Sequence, residues 1–312
     1  MREKITVICG PTASGKTRVS AGLAKILNAE IISADSMQIY TGLNIGTAKP
    51  TPEETAGVRN HLIDIIDIAS LKDAADPAPF SVAEYLIKAG ECARDILSRG
   101  KRVIICGGTG LYIDHFIRNT QFSAHSGDPE YRKKLEGLPC GELYNMLAGS
   151  DPESAANIHP NNKKRIIRAL EILKLTGKPK SELDKLAYPE APEYDFIKLA
   201  LNFPDRAALY DRINRRVDLM LANGFLDEVR GLYADGLERI IRKIGAIGYV
   251  ELLDYLNGVC GFDEAVGYIK QRTRNYAKRQ LTWFRKDPAT VWVDCTGDTG
   301  DIIKSCMAHI KI

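Results

Sequence analysis

No apolar run in this sequence is long enough to cross a bilayer as a helix, and no leader is evident, because MREKITVICGPT runs straight into a strand-like segment and a glycine loop. Membrane and secreted classes are therefore not expected. A disulfide or thiolate-metal framework is also missing. The seven cysteines (Cys9, Cys92, Cys106, Cys140, Cys260, Cys295 and Cys306) are odd in number, scattered and without a CxxC pair, as thiols of a reducing cytoplasm would be. There is no internal repeat, no low-complexity tail, and no heptad or obvious apolar patch, so a cytoplasmic monomer is expected. The remainder is ordinary for a globular chain: 312 residues, 45% apolar and 27% charged. That length suits one large domain or two modest ones, with a core that needs no metal or disulfide to hold it.

The net charge of +3 is small; the placement of charge says more. From Lys270 to Lys286 there are seven Lys or Arg and no acid, and from Lys163 to Lys180 seven more against one Glu. Such local excess is the footprint expected for a polyanionic partner, although a single basic cluster can equally be a solvated helix face.

The first hundred or so residues alternate strand and helix patterns. KITVICG is a β-rich run, followed by a helix from Gly15 to about Leu27. EIISAD is a second run, then a long helix from about Ser81 to Arg99, then RVIICGG and a further helical stretch. Continuous Ile/Val runs separated by helices imply a parallel sheet covered on both faces. Sites in such sheets lie beyond the carboxyl ends of the strands, which puts Gly10 to Thr17, Asp35 and Gly107 to Thr109 along one edge. From about Asn119 to Tyr194 the β-branched runs disappear, and PEYRKKLEGL and NKKRIIRALEILKLTG read as short polar helices. The expected domains are thus a core of residues 1–118 and 195–312 and an α-helical insertion of 119–194. IKLALNF returns a strand to the sheet, helices follow to about Lys286, and TVWVDC is a candidate last strand.

Gly10-Pro11-Thr12-Ala13-Ser14-Gly15-Lys16-Thr17 matches G-x-x-x-x-G-K-[ST] in full, between a strand and a helix. The glycines let backbone N–H groups turn toward phosphate oxygens, the helix N-terminus adds partial positive charge, and Lys16 a full one. Thr17 offers a hydroxyl to a Mg²⁺ bridging the phosphates. The expected fold class is therefore α/β, a P-loop NTPase-like parallel sheet flanked by helices. An ATP-using reading meets an obstacle, since the strand Val103 to Cys106 ends in Gly107-Gly108-Thr109-Gly110 where many NTPases carry a Walker B Asp. The nearest acid is Asp35, placed where a base would face a nucleophile, or else a simple turn residue. A small-molecule P-loop kinase explains the loop and Asp35 but leaves both basic clusters idle. A non-enzymatic P-loop binding protein leaves Asp35 without a purpose.

GPTASGKT, ISADSMQIYTGLNIGTAKPT, HLIDI, VIICGGTGLYI, IHPNNKKRIIRALEI, LYDRINRRVDLML, AIGYVEL and TRNYAKRQLTWFRK, in that order, resemble the tRNA dimethylallyltransferase (tRNA isopentenyltransferase) family from Val7 to about Lys286. The resemblance implies transfer of a dimethylallyl group from dimethylallyl diphosphate to N6 of adenosine 37, in tRNAs reading codons that begin with U. It implies that Lys16 contacts the diphosphate, Thr17 helps place Mg²⁺, Arg216 adds positive charge there, and Asp35 accepts the N6 proton. It further implies contacts to the tRNA anticodon stem-loop from Asp35, Ser36, Met37, Gln38, Thr109, Arg132, Lys164, Arg165, Arg168, Arg274, Lys278 and Arg279. The target base has to be extruded from its stack; Tyr40, Tyr112 and Trp283 are candidate stacking partners, although such rings are more often simply core. His61 and His159 are expected to be structural. The sequence departs from the family pattern at Asn162, where an Asp is common, and at Gly245 and Val250, where some members carry basic residues.

Overall fold

The computed structural model describes residues 2–73, 79–122, 128–187 and 192–310. The chain forms two compact units, one of Met1–Ile117 with Glu193–Ile312 and the other of Arg118–Pro192.

The first unit is built on a six-stranded, all-parallel sheet in the order β3-β2-β4-β1-β5-β6. Its strands are β1 (Lys4–Cys9), β2 (Ala29–Ser33), β3 (Asn60–His61), β4 (Arg102–Cys106), β5 (Asp195–Asn202) and β6 (Val291–Asp294). Alternate residues of each apolar run go to opposite faces, and both faces are covered. Ile8, Ile31, Ile104, Leu199 and Val293 pack under helix α1 (Lys16–Leu27). Ile5, Val7, Ile32, Val103 and Ile105 take the other face.

Between β2 and β4 the chain makes a short helix α2 (Pro52–Thr55) and the long helix α3 (Val82–Ser98), which lays Tyr85, Ala89, Ala93 and Ile96 on that second face. Ser81 starts α3 with a capping box: its Oγ accepts from the Glu84 N–H, and the Glu84 carboxylate accepts from the Ser81 N–H. Helix α4 (Gly110–Ile117) follows β4 and closes the first half.

The second unit holds α5 (Pro129–Glu136), α6 (Cys140–Ser150), α7 (Pro152–Asn157), α8 (Lys163–Thr176) and α9 (Lys180–Leu186) around its own core of Leu135, Leu143, Leu147, Ile166 and Leu170. Within it the fully buried Glu171 takes a two-pronged hydrogen bond from Arg132 at 2.6 and 2.7 Å, with Arg168 3.7 Å away.

After β5 come α10 (Arg206–Ala222), α11 (Phe225–Ala234), α12 (Glu238–Ile244), α13 (Tyr249–Leu256) and the long α14 (Phe262–Phe284). With Ile39, Tyr40 and Leu43 these helices enclose a third core of Val217, Phe225, Ile241, Tyr249 and Ile269. Helix α15 (Thr299–His309), capped by Asp298, covers the α1 face with Ile302 and Cys306. No helix among the described residues is long and apolar enough to cross a membrane.

β1 lies between β4 and β5. The chain leaves β1 toward β2 on one side and later passes from β4 to β5 on the other, so a crevice opens at the carboxyl end of β1. The loop that leaves Cys9 begins there.

Candidate active site

The loop after β1 is shaped by close backbone packing. Gly10 has φ +134°, and a Cβ there would lie 2.4 Å from the Leu201 carbonyl oxygen. Gly15, at φ +86°, lets the chain enter α1 through a left-handed turn that disfavours a side chain. Ser14 Oγ and Lys16 Nζ both donate to the Pro11 carbonyl, at 2.8 and 2.7 Å, so the lysine folds back over its own loop. Part of the Lys16 side chain reaches the surface but its ammonium is deeply set. Burial pulls its pKa below the ordinary lysine value, and the charge of Arg216 adds to that effect. Arg216, on α10, is likewise lowered by burial, while Asp35 and Glu54 oppose the shift. Two cations crowded into one low-dielectric spot make a site suited to a multiply charged anion.

Asp35 stands just beyond β2. Its Oδ1 accepts from the Met37 N–H at 2.9 Å and the Gln38 N–H at 3.4 Å, so it does make the turn considered as its simpler role. Among the described residues its second oxygen has no such bond, and that carboxylate lines a cavity of about 260 Å³ together with Thr12, Arg216, Thr273, Tyr276 and Arg279. One oxygen fixes the side chain; the other is left for chemistry.

The loop after β4 is drawn tight against both neighbours. A Cβ on Gly107 would lie 2.1 Å from the Ala34 carbonyl oxygen, and one on Gly110 would strike Trp283 at 2.3 Å. Thr109 N–H donates to the Ala34 carbonyl, and Thr109 Oγ1 accepts from the Ser36 N–H at 3.1 Å. Glycines where NTPases often hold an acid therefore serve close strand-end packing.

The structure thus brings Gly10 to Thr17, Asp35, Ser36, Met37, Thr109, Arg216 and the α14 residues Arg274 to Arg279 to one end of the sheet. Arg274 donates to Asn214 Oδ1 at 2.7 Å, and Lys278 and Arg279 are exposed. The Gln38 carboxamide donates to the carbonyls of Thr47 and Ala48 and so shapes the adjoining loop. Arg132, Lys164, Arg165 and Arg168 belong to the second unit, where Arg132 answers Glu171 while Lys164 and Arg165 are exposed. Gly245 ends α12 at φ +71° and lines the cavity, so backbone conformation explains why no basic side chain stands there.

Of the two roles open to the aromatics, stacking or core, the structure favours the second. Tyr40 is buried with its hydroxyl accepting from the Phe80 N–H, and Tyr112 is buried and stacked on Tyr85 at 4.1 Å. Trp283 donates its indole N–H to Asp114 at 2.7 Å and packs on Gly110. The two tyrosines are core residues, and Trp283, partly exposed, packs against the same core. His61 pairs with buried Glu30, a structural role as expected, and the His159 Nδ1 accepts from the Asn161 N–H within a turn.

Gln280 is the main residue that sequence reasoning did not single out for the loop. From α14 its Oε1 accepts from the Thr12 N–H at 2.8 Å, and its Nε2 donates to the Gly108 carbonyl at 3.0 Å. Arg212 also braces the loop, donating to the Ala13 carbonyl at 3.2 Å. No local pattern announces either contact.

No group of three or more His, Cys, Asp or Glu that could cage a metal exists among the described residues. Magnesium bound chiefly through substrate phosphates needs few protein ligands, and the Thr17 hydroxyl at the start of α1 fits that limited role.

Residues 38–287 match the IPP transferase family. The chain is 48% identical over 299 residues to a tRNA dimethylallyltransferase of Bacillus velezensis, covering 95% of this chain and 92% of that protein. The fold is similar to a tRNA isopentenylpyrophosphate transferase of Bacillus halodurans, with TM-score 0.72 and 42% identity over 98% of this chain and 95% of that one. It is also similar to a eukaryotic dimethylallyltransferase acting on tRNA, with TM-score 0.82 and 29% identity over 98% of this chain and 77% of that one.

Proposed function

The chain belongs to the IPP transferase family and is a tRNA-modifying prenyltransferase; from that premise we propose that it moves the dimethylallyl group of dimethylallyl diphosphate onto N6 of adenosine 37, beside the anticodon, in tRNAs reading codons that begin with U. The observation that carries this reading is the meeting of Arg216 and Asp35 at one cavity that also holds apolar side chains, with the Lys16 charge close enough to act on both.

In this reading the diphosphate lies in the loop Gly10 to Thr17, against Lys16 and Arg216. Burial already disfavours both charges, though each side chain is partly exposed, so they act on charge developing in the transition state with little further loss of hydration. Thr17 would hold a Mg²⁺, and the ion would neutralise part of the diphosphate charge. N6 of the extruded adenine attacks the allylic C1. The C1–O bond breaks, its electron pair leaves with the diphosphate, and the N6 proton passes to the unbonded oxygen of Asp35. The turn at Met37 and Gln38 holds that carboxylate still while it receives the proton. Proton transfer to a positioned base contributes about 10²–10⁴-fold; the larger share falls to the fixed cations and N–H groups.

The basic stretch of α14 and the exposed Lys164 and Arg165 are suited to RNA phosphates. The seven free cysteines support a cytoplasmic location, and a sequence without a heptad supports a monomer.

The test incubates the protein with mixed tRNA and labelled dimethylallyl diphosphate, and in parallel with ATP and small alcohols. Label in the nucleoside next to the anticodon is expected, with no phosphoryl transfer. Phosphoryl transfer without tRNA labelling would establish the kinase reading instead, and label at another nucleoside would refute the assigned position.

A further inference from the structure

The geometry points to Phe225 as the residue that limits the donor to a five-carbon chain, an inference that rests on the prenyl-transfer reading of the same site. Thr12, of the phosphate loop, lines the cavity with Asp35 and Arg216, and Ile213 beside them packs with the loop residue Ala13, whereas Val217, Met220, Phe225 and Ile269 bring the side chains of the third core to it. A diphosphate held at the polar end directs its hydrocarbon tail toward the apolar one, because apolar area is stabilised there and charge is not.

Phe225 forms part of that apolar end and cannot move aside. Its side chain is fully buried. A Cβ on Gly46 would lie 2.2 Å from the ring, and one on Gly248 2.8 Å, so bare backbone presses on it from two loops. Tyr249 adds an edge contact, with ring centroids 4.9 Å apart. The Gly46 loop is itself pinned, since the Glu228 carboxylate accepts from the N–H groups of Asn44, Ile45 and Gly46 and from the Tyr249 hydroxyl at 2.6 Å. A ring fixed in this way is a stop, since close-packed surroundings leave it no neighbouring space into which to yield. A tail longer by five carbons would have to displace it.

The test offers dimethylallyl and geranyl diphosphate together, at equal concentration, to wild-type and Phe225→Ala enzyme with tRNA. The two prenylated nucleosides are then quantified by mass. Competition in one tube reports the ratio of kcat/KM values whatever fraction of the protein is folded. The geranyl-to-dimethylallyl ratio is expected to rise at least tenfold, on the order of what one or two methylenes are worth in an apolar pocket. If Phe225→Ala gives no product, Met220→Ala opens the same end from a partly exposed position and has to shift the ratio in the same direction. An unchanged ratio in a variant that turns over would overturn the proposal. So would a raised KM for tRNA with the donor ratio intact, which would mean that the purine, not the tail, rests on this ring. Wild-type enzyme that prenylates no tRNA with either donor would refute the functional reading instead.

Discussion

Replacing Gln280 by Leu should loosen the donor loop and destabilise the fold together. Gln280 is 5% exposed, and its carboxamide satisfies the Thr12 N–H and the Gly108 carbonyl at once. Leu has similar length and good helix propensity, so α14 should persist while both partners lose their bonds. A buried polar group left unpaired costs about 1–3 kcal/mol. Gly108 is buried and should incur most of that range, whereas Thr12 is half-buried and can recruit water. The total is about 2–4 kcal/mol, equivalent to a melting temperature lower by roughly 3–6 °C for a chain of this size. Because one lost bond is to the phosphate loop itself, KM for dimethylallyl diphosphate should rise while tRNA affinity changes little. The assay pairs a thermal melt with steady-state kinetics in each substrate. A wild-type melting temperature with a wild-type donor KM would show that the bridge carries neither stability nor loop geometry.

Lys16→Ala removes a charge set against the diphosphate and should cut transfer by about 10²-fold or more while tRNA affinity, read by filter binding, holds. Binding of tRNA should weaken steeply with salt, by about 0.7 in log–log slope per phosphate contact. Lys164→Ala with Arg165→Ala should flatten that slope by about one unit, and Arg132→Ala less, because Arg132 already faces Glu171. Glu30 gives a pH signature. Hydrogen bonds first from Arg99, then from Lys101 and His61, hold its pKa far below the ordinary glutamate value. A depressed folded pKa means that this stabilisation is complete above the unfolded value of about 4.3 and declines as pH falls below it. Glu30→Gln should therefore be less stable at neutral pH and lose less on acidification, measured as urea midpoints from pH 7 to pH 3.

The sheet was legible because its strands are apolar on both faces, and KITVIC or RVIIC cannot be mistaken for half-exposed segments. The phosphate loop was legible because its chemistry is local, with glycines, lysine and threonine adjacent in the chain. β3 escaped because two residues, Asn60 and His61, carry no periodicity. Helix α15 escaped for a different reason: its apolar stripe is thin, and only the Asp298 cap marks its start. The bridge from Gln280 to the phosphate loop could not be found from sequence, since its partner Thr12 lies 268 residues away. The role of Tyr40, Tyr112 and Trp283 stayed open between stacking and core, because burial of a ring is a property of the packing around it. Likewise nothing in the sequence announced that Arg132 is met by Glu171, 39 residues on.

The central claim is that Asp35 takes the N6 proton, and Asp35→Asn tests it most directly. Asparagine keeps the shape and the oxygen that accepts from the Met37 and Gln38 N–H groups, so the turn should survive while basicity is lost. Single-turnover prenylation is measured at saturating tRNA and donor, with the binding constants of both determined separately. The account expects a rate lower by about 10²-fold or more with both affinities nearly unchanged. A wild-type rate in Asp35→Asn would contradict it, leaving Asp35 a turn residue and the proton to solvent.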